Sequence, residues 1–84
     1  MTVYPNPFNK ATNINFSIKE KSNVSLKIID QYGQEIFNEI NNIQTEQGNY
    51  TVLFDGQNLS KGIYFCILQI NGQIFQTQKI ILTK

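Results

Sequence analysis

The chain has 84 residues, seven basic and six acidic side chains, a net charge of +1 and no histidine, so the concentrated positive surface that a nucleic-acid partner requires is missing. Its single cysteine, Cys66, excludes an intrachain disulfide, and without histidine the commonest metal ligand and general base are lacking, which argues against metal, cofactor and triad chemistry and against an enzyme. The length allows one domain, residues 1–84, built on a single core.

No basic start followed by an apolar stretch occurs, nor any run of about eighteen apolar residues. Neither a secretory leader nor a transmembrane segment is therefore expected within these residues, and Met1 reads as the start of an excised fragment. The opening Tyr4-Pro5-Asn6-Pro7-Phe8-Asn9 holds both prolines. Proline cannot donate to a strand ladder, which predicts an edge segment or turn anchored in the core by Tyr4 and Phe8.

From Thr12 to Ile18 the pattern alternates, Ile14, Phe16 and Ile18 against Asn13, Asn15 and Ser17, as in a strand with one buried face. Val24, Leu26 and Ile28 repeat it, and Asp30-Gln31-Tyr32-Gly33 carries Asp and Gly at the first and fourth positions of a type I turn. The next strand, Gln34 to Ile40, reads as a weak edge with Ile36 and Ile40 on one face and Phe37 on the other. The polar stretch Asn41 to Gly48 reads as a loop. Tyr50, Val52 and Phe54 then alternate in a strand over 49–54, followed by a loop from Asp55 to Gly62 whose Leu59 turns back to the core.

Gly62-Ile63-Tyr64-Phe65-Cys66-Ile67-Leu68-Gln69-Ile70 is almost continuously apolar and rich in aromatic and β-branched residues, which predicts a central strand buried on both faces. Asn71-Gly72 is a type I′ hairpin signal, because both central positions of that turn need positive φ. It makes Gln73 to Leu82 the antiparallel partner of the central strand. About seven short strands without helical periodicity predict an all-β, immunoglobulin-like β-sandwich of two antiparallel sheets, with a small open barrel as the alternative. The expected core joins Tyr64, Cys66 and Leu68 to Ile14, Phe16, Leu26, Ile28, Val52 and Phe54.

The motifs Val3-Tyr4-Pro5-Asn6-Pro7-Phe8, Ile28 to Ile36 with its Asp30-x-x-Gly33 turn, Leu59-Ser60-Lys61-Gly62-Ile63-Tyr64 and Lys79-Ile80-Ile81-Leu82-Thr83-Lys84 occur in that order. Together they resemble the type A C-terminal sorting domain of type IX secretion in Bacteroidetes. A related Ig-like family of hook-capping proteins and secreted glycosidases shares the opening and the Asp-x-x-Gly turn but differs after the Gly-x-Tyr strand. The resemblance implies a non-catalytic domain behind an N-terminal cargo. It would direct the cargo through the outer membrane to the cell surface or medium, with the secretion machinery and a sortase-like peptidase as partners. Its recognition residues would be Gly62, Tyr64, Lys79, Ile80, Ile81, Leu82 and Lys84.

Blander readings stand beside these. Gly62 and Tyr64 suit core construction as well as docking. Cys66 shares the inward face and reads as a small hydrophobe. Asp30 and Asp55 suit turn capping better than calcium binding. Ile63, Phe65 and Ile67 form a second apolar face that neighbours or a partner must cover. The rival functions are a carbohydrate- or matrix-binding module and a spacer that self-associates through its sheet edges.

Overall fold

The computed structural model describes all 84 residues and consists of β1 (Thr2–Tyr4), β2 (Ala11–Ile18), β3 (Ser22–Asp30), β4 (Glu35–Thr45), β5 (Gly48–Asp55), β6 (Gly62–Ile70) and β7 (Gln73–Leu82). They form a three-stranded sheet, β1-β2-β5, and a four-stranded sheet, β4-β3-β6-β7, with every strand pair antiparallel. Placing the first, second and fifth strands in one layer and the third, sixth and seventh in the other is the Ig-like arrangement, not a closed barrel. Between the layers lie Phe8, Ile14, Phe16, Ile18, Val24, Leu26, Ile28, Phe54, Tyr64, Cys66, Leu68, Ile80 and Leu82. The alternating residues of β2, β3 and β6 thus meet as their period requires.

Both hairpin turns have the backbone their residues demand. Asn71 and Gly72 take φ of 53° and 81°, and the Asn71 side-chain oxygen accepts the N–H of Asn23 at 2.9 Å, tying the β6–β7 turn to the start of β3. In the β3–β4 turn the Asp30 carboxylate accepts the N–H groups of Tyr32 and Gln34, both at 2.9 Å, while Gly33 takes the positive φ.

Three expectations are corrected. Tyr4 is no anchor: it is 76% exposed, because in the three-residue β1 Val3 takes the inward position and alternation sends Tyr4 outward. Val52, by contrast, does pack against the core as expected, and stays half-buried because β5 is the edge of its sheet. The stretch 41–45 is not loop but the second half of β4, paired with Ser22 to Val24. Register shifts on β4 place Phe37, Ile40 and Ile43 opposite Ile28, Leu26 and Val24. Each shift puts an extra residue into β4, so its apolar spacing is three rather than two, and the alternation that betrays a strand is lost. The same shifts turn Phe37 inward, where its ring meets Phe54 edge-on at 6.3 Å.

β6 is the central strand, but only one of its faces is buried. Tyr64, Cys66 and Leu68 point inward, whereas Ile63, Phe65 and Ile67 are half-buried on the outer surface, because a two-layer sandwich has nothing to pack on that side.

Candidate functional site

The β6–β7 register gathers the residues singled out from the sequence. Gly62 pairs with Leu82, Ile63 with Ile81, Tyr64 with Ile80 and Phe65 with Lys79, so the start of one strand and the end of the other make a single patch. Within it the side chains divide. Ile80 and Leu82 are fully buried, Ile81 is half-buried beside Ile63 on the outer face, and Lys79 is exposed. Lys84 lies past the strand and folds back, its ammonium donating to the carbonyls of Gln57, at 2.6 Å, and Leu59.

Tyr64 has the geometry of a tyrosine corner. Its hydroxyl donates to the Ser60 carbonyl four residues upstream, its ring stands edge-on to Phe54 at 6.2 Å, and it is 5% exposed. Burial raises its pKa, with the Asp30 carboxylate adding to the effect. Gly62, two residues earlier, takes φ of +150°, a conformation that side-chain-bearing residues rarely adopt. A Cβ there would meet nothing, so the backbone and not space selects glycine. The loop before it is held by Asp55, whose carboxylate accepts the Gln57 N–H at 2.9 Å, and Leu59 packs on the core as expected. A cleft of about 270 Å³ opens beside Gly62 and Tyr64, bounded by Asp30, Tyr32, Leu59 and Lys61. A larger groove, about 550 Å³, lies at the opposite end between Ile18, Tyr50, Ile70 and Phe75, away from every residue of the patch.

Sequence reasoning missed the residues that border this patch. Asn6 and Phe8 run along the outer edge of β7. The Asn6 amide donates to the Lys79 carbonyl at 2.9 Å, and its oxygen accepts the Ile81 N–H at 3.0 Å. The Phe8 N–H donates to the Ile81 carbonyl at 2.9 Å, and the Phe8 carbonyl accepts the Thr83 N–H at 2.8 Å. The signal was the asparagine between two prolines, a position whose flanking backbone nitrogens have no hydrogen and where a side-chain amide must act instead.

The chemistry available here is that of presentation. Asp30 and Asp55 cap their own turns, and no group of three or more His, Cys, Asp or Glu side chains comes together. Cys66 is buried, and burial pushes its thiol pKa up to about 12, which removes the thiolate a nucleophile needs.

The model of the secretion system C-terminal sorting domain matches residues 2–83. The chain belongs to that family. No curated relative and no solved structure matches it. Membership makes this sorting domain a C-terminal signal for type IX secretion, the route across the outer membrane to the cell surface or medium. The match spans both sides of the contact between the Asn6 segment and the end of β7.

Proposed function

We propose that residues 1–84 act as one non-catalytic sorting unit, carried behind an N-terminal cargo, and that the type IX machinery reads the patch where β6 begins and β7 ends. The supporting observation is the register that sets Gly62 and Tyr64 against Leu82 and Ile80, with Lys79 and Ile81 left to meet a partner and Lys84 exposed at the end of the strand. In this reading Ile80, Leu82 and Tyr64 shape the patch from beneath, since a buried side chain cannot touch a folded domain's receptor. Gly62 sets the backbone at its rim.

The position of the N-terminus favours the same arrangement. Met1 lies beside Gln76, near the turn end of β7, whereas Lys84 lies past its other end. At roughly 3.3 Å per residue the intervening strand separates them by about 25 Å. The cargo thus leaves from one end of a body whose longest dimension is 37 Å, and the signal faces the machinery from the other. The sortase-like peptidase would act on the cargo side of β1.

The test is a reporter fused ahead of this domain behind an export signal, in cells with and without type IX secretion. The unchanged fusion is expected outside competent cells and in the periplasm of deficient ones. Lys79→Ala, Ile81→Ser and Lys84→Ala combined should hold the reporter in the periplasm while circular dichroism still reports a folded sandwich. Retention of the unchanged fusion in competent cells would overturn the sorting role. Equal export of the folded triple variant would overturn the assignment of the patch.

A further inference from the structure

β7 is an edge strand, so its alternate N–H and carbonyl groups face away from β6 and offer themselves to any added strand. Over the recognition segment four of them are already taken. The Lys79 carbonyl and the Ile81 N–H are bound by the Asn6 side chain, and the Ile81 carbonyl and Thr83 N–H by the backbone of Phe8. A primary amide has one carbonyl and one NH2 on a planar carbon, so it reproduces the donor and acceptor of a peptide group. Asn6 supplies that surrogate where Pro5 and Pro7 have no N–H to give.

The surrogate is itself pinned. The Phe8 ring is buried under Gly56, where even a Cβ would come within 2.9 Å of it. The Pro5 carbonyl accepts the hydroxyl of buried Thr12 at 2.6 Å, and the Thr83 hydroxyl adds a bond to the Phe8 carbonyl at 3.1 Å.

We propose that Asn6 is the positioning residue of the export signal: together with the Phe8 backbone it closes the edge of β7 over Lys79–Thr83, so that the machinery meets fixed side chains there and cannot add a strand. This rests on the reading of the β6–β7 patch as the signal. It further implies that the opening motif and the C-terminal motif, 73 residues apart at the Asn6–Lys79 contact, are two sides of one device. Opening the chain at Asn6 should unfasten the end of β7 while leaving β2, β3 and β5 in place.

The experiment uses the purified reporter fusion for hydrogen exchange and the same fusion in cells for export. Asn6→Ala should speed exchange at Ile81, whose N–H the Asn6 oxygen accepts, about tenfold, the scale of losing the bonds that Asn6 makes, with β3 and β5 unchanged, and should strongly reduce export. Asn6→Asp keeps an acceptor for the Ile81 N–H and loses the donor to Lys79, so it should fall between the two. Tyr50→Phe deletes a comparable bond elsewhere, from the Tyr50 hydroxyl to the Glu46 carbonyl, and should alter neither β7 exchange nor export. Normal export of Asn6→Ala despite faster β7 exchange would overturn the positioning role and leave the sorting role standing. So would loss of export in Tyr50→Phe to the same degree. Failure of the unchanged fusion to leave competent cells would overturn both.

Discussion

The two halves of β7 solve one problem in opposite ways. From Gln73 to Gln78 the outer edge has no strand hydrogen-bonded to it, and the register slips by one residue so that Phe75 sits in a bulge, 56% exposed next to Ile74 at 64%. A bulge twists an edge and spoils it as a template. From Lys79 to Leu82 the register is regular, Ile80 and Leu82 fill the core, and the edge is closed by Asn6 and Phe8. A bulge there would carry Ile80 or Leu82 to the wrong face, because a slip of one residue inverts the strand. The lesson is that a strand whose inward side chains are needed must be protected from its edge, while a strand with little to bury can be protected by distortion.

Phe8→Ala attacks the closed half most directly. Losing that ring from beside Phe54, 5.8 Å away, should cost about 3–5 kcal/mol in urea unfolding, enough to unfold much of a small domain. A loss as small as that of an exposed residue would show that the edge is closed without it. Gly56→Ala presses on the same seal from below, since its Cβ would lie 2.9 Å from the Phe8 ring and 3.2 Å from Leu82. About 1–3 kcal/mol is expected from the resulting shifts, read from the same denaturation curves. Tyr64→Phe keeps the ring opposite Ile80 and deletes only the hydroxyl bond to Ser60, so about 1 kcal/mol should be lost.

Cys66 pairs with Gln78 where the halves meet. An accessible thiol ionises near 9.0, and burial pushes this one up to about 12. Between those values the unfolded chain has released the proton that the folded chain still holds, so this group's stabilising effect is complete below the lower pKa and lost as pH rises toward the upper one. Tyr64, also raised above its ordinary 10.0, acts in the same direction. The urea midpoint should therefore fall from about pH 8 to about pH 10.5, and fall less in Cys66→Ala, which removes one of the two titrating groups. The smallest effect belongs to the open half: Phe75→Ala should change stability by less than about 0.5 kcal/mol, as at other surface positions. A cost near that of Phe8→Ala would erase the distinction between the halves.

Much of the sandwich was legible in the residues. Alternation located β2, β3 and β5, Asn71-Gly72 located the β6–β7 hairpin, and Gly62-x-Tyr64 located the start of β6, because these signals act between neighbours in the chain and need no partner to be read. The second half of β4 and the inward turn of Phe37 were not legible, since bulges replace the period of two with a spacing of three and only pairing with β3 decides where they fall. Nor was the division of Lys79 to Lys84 into buried Ile80 and Leu82 beneath outward Lys79 and Ile81 assigned to a recognition face, although the alternation was present. The contact of Asn6 with Lys79 and Ile81 was the least accessible of all. An asparagine between prolines declares a special local conformation, but which distant backbone it completes is decided only when the two sheets pack and bring the first segment alongside the last strand.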